Sequence, residues 1–376
     1  MLAEAPVFFD PDYTTFFGRK GVWQVFRHAE VTAVMSDYSI FSNGYLPKMP
    51  GNPLSENINQ QDPPQHDRLR KLLMSAFSRD LIADLIPWMY EKCHGLLEKN
   101  LSAGNMDFVG EIANPFPSYV INRLLGIPGE NHNQVEGWVN AIISTPDMND
   151  IAGFLHKQQI AQAEMTEFFM ALLQDKKQKQ KNDLISRLIT VQDNGTKLST
   201  EEVFGTCMAL IMAGNETTSG LLANAMYTFL EDQVLLKQLI NNPDDISNAV
   251  NEVLRFRSPV QSHCRIATQD TVLNGKHIKQ GDILNVWIGA ANHDPLVFNN
   301  PEKFDITRNN FSRITSFGHG VHHCVGAVLS KLEAKVVFEC TFKRLRNLRL
   351  QPNSTISMSN SNIVSSVQYL PITFSV

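Results

Sequence analysis

The segment SFGHGVHHCVGAVLSKLEAK, from Ser316 to Lys335, sets Cys324 among three histidines and three glycines and runs on into apolar positions spaced three and four apart. Gly318, Gly320 and Gly326 allow positive φ and close backbone approach, and the spacing beyond Gly326 predicts an amphipathic helix. Cys324 then stands at a helix N-terminus, where unpaired amides and the positive end of the dipole favour a thiolate, as metal ligand or as nucleophile. Structural zinc would need four tetrahedral ligands, but the loop offers one cysteine and no CxxC pair exists elsewhere. A nucleophilic cysteine would need a histidine base and an orienting Asn or Asp; His319, His322 and His323 offer the first, without a local hydrolase signature. Covalent c-type haem attachment would need CxxCH, which is absent, whereas non-covalent haem with a thiolate axial ligand needs one cysteine in a dry loop and basic groups for two propionates.

The elements that must position such a loop are mostly helical. HDRLRKLLMSAF, DLIADLIPWMYEKCHGLLEKNL, IAQAEMTEFFMALLQD and NDLISRLITVQD carry helical periodicity between about His66 and Phe256. The longest helix starts at a capping box of Ser199 and Glu202 and continues to about Leu230, roughly 45 Å at 1.5 Å per residue. Its AGNETTSG stretch puts Glu216, Thr217 and Thr218 where burial is expected, next to Gly214; taken alone this reads as a bend or a solvent-facing patch. Glu252 and Arg255, taken alone, read as an i,i+3 surface pair. Later, TVLNGKHIKQGDILNVWIGA and SSVQYLPITFSV supply short strand-like runs with Asn274-Gly275 and Gly281-Asp282 turns. The expected fold class is mainly α with a small β portion, in a single domain over residues 1–376.

Composition narrows the function. The chain is 43% hydrophobic and 19% charged, with a net charge of -5, so a core is available and no basic excess exists to hold a nucleic acid. The start, MLAEAPVFFDPDYTTFFGRK, has no signal-peptide pattern, and the longest apolar run is interrupted by Asn215 and Glu216. A cytoplasmic protein without a membrane partner is expected. Five scattered cysteines (Cys93, Cys207, Cys264, Cys324, Cys340) do not form a disulfide framework.

Five separated motifs together resemble the cytochrome P450 family of haem-thiolate monooxygenases. Phe317, Gly320, Cys324 and Gly326 match its cysteine loop; Glu252 and Arg255 match its Glu-x-x-Arg helix. Ala213, Gly214, Glu216, Thr217 and Thr218 match its oxygen-activating helix, and DPPQHDRLR, with His66 and Arg70, matches a further segment. ANHDPLVFNNPEKFDITRNN, with Arg308, is similar to the meander that leads to the cysteine loop.

The resemblance implies a P450 fold with the long helix over haem b (iron protoporphyrin IX), and Cys324 as iron ligand. It implies propionate partners His66, Arg70, Arg265 and His322, with Ala213, Phe317, Gly318 and Gly326 around the cofactor. His319 and His323 are expected to be solvated. Glu216 and Thr217 would deliver protons over the iron where Gly214 loosens the helix, while Glu252, Arg255 and Arg308 would form a buried structural triad. Leu210, Val260, Gln261 and Ile363, with Ile211, Ser262, His263, Val364 and the loop SNGYLPKMPGNPLSENINQ, would line the substrate pocket, Gln261, Ser262 and His263 being expected mainly to bond local backbone. The implied reaction is hydroxylation or epoxidation of an apolar organic substrate with dioxygen. Electrons would come from a ferredoxin or flavodoxin and its reductase, docking near Arg68, Lys71, Lys331 and Lys335; the expected state is monomeric. A peroxide-driven peroxygenase and a non-catalytic haem-thiolate binding or gas-sensing protein are the alternatives.

Overall fold

A computed structural model describes residues 4–15, 18–45, 58–143, 150–193, 195–359 and 361–376. Helices dominate: α1 (His28–Ser36), α2 (Gln65–Ala76), α3 (Arg79–Glu98), α4 (Pro115–Leu125), α5 (His132–Ile143) and α6 (Ile151–Gln178). They continue with α7 (Leu184–Thr190), α8 (Thr200–Glu231), α9 (Gln233–Asn241), α10 (Ile246–Phe256), the short α11 (Ile288–Ala291) and α12 (Ala327–Arg344). The strands are short: β1 (Val7–Thr14), β2 (Lys20–Val25), β3 (Phe41–Ser42), β4 (Asn105–Asp107), β5 (Gln192–Asp193), β6 (Thr196–Lys197) and β7 (Ser262–Ala267). After them come β8 (Thr271–Leu273), β9 (Lys276–Ile278), β10 (Ile283–Trp287), β11 (Arg346–Leu350), β12 (Ser357–Met358), β13 (Val367–Tyr369) and β14 (Pro371–Ser375). The fold is mainly α with a small β portion, as its periodicities predict.

Helix α8 is the axis of the helical body. Its start is closed by the predicted box: Glu202 N donates to Ser199 Oγ (3.1 Å) and Ser199 N to Glu202 Oε2 (2.9 Å). From Thr218 to Met226 every residue is buried, so this half of the helix must be packed on all sides. One neighbour is α12, whose Phe338 meets Phe229 edge to face with centroids 5.1 Å apart, a contact worth about 0.5–1.5 kcal/mol beyond its buried area. The loosening expected at Gly214 is absent: α8 runs unbroken through it, and a Cβ there would have ordinary contact with Ile121 at 3.8 Å.

The main sheet has the order β1-β2-β10-β7-β3, with β2 and β10 parallel and the other pairs antiparallel. The β8–β9 hairpin turns on Asn274 (φ 49°) and Gly275 (φ 72°), the left-handed pair that an Asn-Gly dipeptide supplies. Strand β7 carries one wall of the site described next. Its alternation sends His263 and Arg265 to one face and Ser262 and Cys264 to the other, where Ser262 Oγ donates to the Asn362 carbonyl (2.9 Å).

Candidate active site

Between α8, β7 and the loop ahead of α12 lies a cavity of about 390 Å³. The loop is shaped by its glycines. Gly318 (φ 77°) and Gly320 (φ 70°) adopt left-handed conformations, and a Cβ on Gly320 would lie 2.9 Å from the Met35 carbonyl oxygen and Ser36 Cα, so only glycine lets the loop close on the end of α1. Its far side is anchored by Asn292: Oδ1 accepts from Thr315 N (2.8 Å) and Oγ1 (2.9 Å), and Nδ2 donates to Ser316 Oγ (2.8 Å). All three residues are buried. Asn292 lies inside the quoted ANHDP segment but carries no local signal of this role, because its partners are more than twenty positions away.

Cys324 N donates to the Phe317 carbonyl (2.8 Å), and the side chain opens onto the cavity just ahead of the α12 N-terminus at Ala327. The expected lowering of its pKa is not found. Burial pushes the thiol up, and the amides of Gly326 and Ala327 together with Arg70 offset this only in part. A ligand that replaces the proton would remove that penalty.

Around the same cavity stand His66 and Arg70 from α2, Arg265 from β7 and His322 from the loop. The His66 and His322 rings lie 4.3 Å apart. Arg70, half-buried, has no hydrogen bond or ion pair with any described residue, and the negative charges it feels are those of Cys324 and Asp67. Arg265, 3% exposed, bonds among the described residues only the carbonyl of its neighbour Cys264 (2.8 Å). A buried and a half-buried guanidinium, neither in a direct ion pair with a described residue, are costly to desolvate unless an anion joins them. A soft sulfur on one wall and unpaired cations at the rim fit a haem, with its iron and two carboxylates.

Helix α8 contributes Leu210, Ala213, Gly214, Thr217 and Thr218 to the cavity. Thr217 Oγ1 donates to the Ala213 carbonyl (2.7 Å), a back-bond that leaves the hydroxyl oxygen able to accept. Glu216, one helical position away, does not line the cavity; burial pushes its carboxyl up. The expectation that it sits over the iron is therefore corrected: the face of α8 turned to the cavity carries Ala213, Gly214, Thr217 and Thr218, and Glu216 lies about 100° from Thr217 on the side away from Thr218.

Other assignments divide. Phe317, Gly318, Gly326 and Val260 line the cavity as expected. Gln261 does not: its Nε2 donates to the Ser258 carbonyl (2.5 Å), and its amide fills the space left by Gly289, where a Cβ would lie 2.4 Å from Oε1. Ile363 is also off the cavity and partly solvent-exposed, offering its carbonyl to Gln261 N (2.7 Å). Ile211, Ser262 and Val364 are likewise elsewhere. His319 and His323 are both exposed, and His323 also borders the cavity. His263 also faces inward, without a backbone bond; burial pushes it down to about 4, so the ring is neutral. Of the loop SNGYLPKMPGNPLSENINQ, residues 46–57 lie outside the described residues, while Asn43, Tyr45, Ile58, Asn59 and Gln60 reach the cavity. Glu333 on α12 and Thr206 on α8 line it too, unmarked by any motif.

Below the cavity, Glu252, Arg255 and Arg308 meet. Arg255 Nε and Nη2 bond Glu252 Oε2 (2.9 Å) and Oε1 (2.7 Å), while Arg308 Nε bonds Oε1 (3.0 Å). Exposures of 0%, 0% and 7% rule out the surface-pair reading.

The family model for cytochrome P450 matches residues 3–374. The chain belongs to the cytochrome P450 family. Among curated relatives, a protein described as putative cytochrome P450 YjiB of Bacillus subtilis is 35% identical, over 89% of this chain and 83% of its own. The erythromycin C-12 hydroxylase of Saccharopolyspora erythraea is 33% identical, over 94% of this chain and 89% of its own. The crystal structure of substrate-free CYP109E1 from Bacillus megaterium superposes with a TM-score of 0.92 at 29% identity, covering 99% of this chain and 96% of that one. This P450 is accordingly an enzyme, an oxidoreductase of a haem-dependent monooxygenase family. Among the described residues, no helix is long and apolar enough to cross a membrane.

Proposed function

We propose that this P450 holds haem b with Cys324 as the iron ligand and uses dioxygen to hydroxylate or epoxidise a bulky or long apolar organic substrate. The observation that carries this reading is the Cys324 sulfur opening on a cavity rimmed by Arg70 and Arg265, neither of which forms an ion pair with a described residue. Bound haem would supply the redox chemistry, the reductive activation of dioxygen at iron. The chain's own residues do the rest. Arg70, Arg265, His66 and His322 hold the two propionates by charge-assisted hydrogen bonds. Phe317 covers the thiolate side and limits water there. Leu210 and Val260 present apolar surface to the substrate, while Thr217 holds a hydroxyl at the cavity wall from which a proton is passed inward. Glu216, off the wall, is the nearer of the pair to the outside and feeds that hydroxyl through water.

Electrons come from a separate ferredoxin or flavodoxin with its reductase. Of the basic residues on the thiolate side, Arg68 pairs with Glu202, Lys71 with Asp193 (2.7 Å) and Lys335 with Glu339 (3.7 Å). Lys331 has no acidic partner among the described residues and lies 5.3 Å from the Phe317 ring centroid, which places its charge closest to the loop. Lys331→Glu is expected to slow reduction by an acidic ferredoxin about tenfold at low ionic strength. The difference should shrink with added salt, and dithionite reduction should be unchanged. Equal ferredoxin rates for both proteins would remove Lys331 from the docking surface.

The reaction is tested with purified protein, a ferredoxin and its reductase under labelled dioxygen. One labelled oxygen atom in the product, with substrate-dependent dioxygen uptake, is the expected result; label entering only from water would exclude a monooxygenase.

A further inference from the structure

Two of the scattered cysteines are brought together away from the cavity. Cys93 on α3 and Cys340 on α12 are 0% and 1% exposed and face each other where the two helices pack. The two helices are held in parallel register by flanking contacts: Tyr90 Oη, three residues before Cys93, donates to Glu339, and Arg344, four residues after Cys340, pairs with Glu98. Between these rungs, His94 Nε2 lies 3.8 Å from Cys340 Sγ, and the other ring nitrogen, Nδ1, is buried with no hydrogen-bond partner. The pair thus has a clamped geometry, an imidazole beside one sulfur and no role in binding haem or substrate.

We propose that Cys93 and Cys340 form a dithiol that hydrogen peroxide closes to a disulfide between α3 and α12. The two sulfurs are not equivalent. His94 Nε2 stands beside Cys340 Sγ and can take its proton, and the Cys93 thiol with Lys343 and Arg344 favours a Cys340 thiolate against burial and the Glu339 charge. Cys340 as thiolate therefore attacks one peroxide oxygen, the O–O bond breaks, and hydroxide leaves with a sulfenic acid on Cys340. Cys93 sulfur then attacks that sulfur; its thiol proton and the displaced hydroxide leave as water, and the S–S bond forms. Two thiols are oxidised and one peroxide is reduced, giving two waters in all. His94 is the nearest base to take up and return the proton.

Purified holoprotein is treated with hydrogen peroxide, and remaining thiols are alkylated after denaturation. The expected result is that two of the five cysteines become unreactive, the intact mass falls by the two thiol hydrogens, and a peptide linking Cys93 to Cys340 appears and is lost on dithiothreitol treatment. In Cys93→Ser the link is lost and dimedone labels Cys340; in Cys340→Ser the link is lost and Cys93 remains a thiol. Cys93→Ala and Cys340→Ala give the same reading if a buried serine hydroxyl weakens the fold. Both thiols remaining alkylatable in peroxide-treated wild type, or a link formed by any other pair, would overturn the proposal. Labelling of Cys93 instead of Cys340 in the single variants would overturn the order of attack.

Discussion

Replacing Arg255 with alanine is expected to leave little haem-loaded protein. Every N–H of this guanidinium is used: three donate to the carbonyls of Asn292 (3.1 Å), Pro301 (2.8 Å) and Lys303 (3.1 Å), and the other two to Glu252. The side chain therefore joins α10 to the segment that leads into the cysteine loop, and the Phe298 ring closes over it at 5.6 Å. Its removal leaves Glu252 shared between Arg308 and the Asp305 amide (2.9 Å), and strands the Asn292 and Pro301 carbonyls. Breaking one partner of a buried pair costs about 3–5 kcal/mol, a large part of the roughly 5–15 kcal/mol that keeps a protein folded. Arg255→Lys should fail as well, because an ammonium cannot span five acceptors in a fork. Expression yield, the haem-to-protein absorbance ratio and thermal unfolding check this; normal yield with full haem in Arg255→Ala would show that the triad does not brace the loop.

Thr217→Val is expected to leave folding, haem content and substrate binding intact while product formed per dioxygen consumed falls by on the order of 10²-fold. Valine keeps the shape and removes the one hydroxyl on this part of the cavity wall that is bonded only to its own helix, at Ala213. Reducing equivalents should then appear as hydrogen peroxide, and Thr217→Ser should restore coupling. Simultaneous assay of dioxygen uptake, peroxide and product decides the point. A fully coupled valine variant would move proton delivery to another group, with Thr218 and Glu333 the remaining candidates on the same cavity.

These two positions also show what the amino-acid pattern could and could not reveal. Ser199 and Glu202 announce the start of α8, and Asn274-Gly275 announces a hairpin, because both signals act over a few residues. The cysteine loop is legible for the same reason: its glycines, cysteine and following helix are contiguous. Burial of Glu252 and Arg255 is not local information, since the three carbonyls that justify it come from residues 292 to 303. Nor is the parallel pairing of β2 with β10, which joins Trp23 to Leu284.

The misplaced pocket residues have related causes. Gln261 turns aside because Gly289 leaves room for its amide, a vacancy created on another strand-to-helix junction. Glu216 reads as a partner of Thr217 when adjacency alone is considered, but the cavity lies on the Thr218 side of Thr217, away from Glu216. Cys93 and Cys340 are about two thirds of the chain apart, yet their helices pack them side by side.

The most direct test of the central claim is the absorption spectrum of the purified protein reduced with dithionite under carbon monoxide, recorded beside that of Cys324→His. A strongly red-shifted Soret band in the wild type, replaced in the variant by a histidine-type carbonyl band or lost with the haem, is the predicted result. A histidine-type spectrum in the wild type, or a red-shifted band that survives in Cys324→His, would contradict ligation of the iron by Cys324.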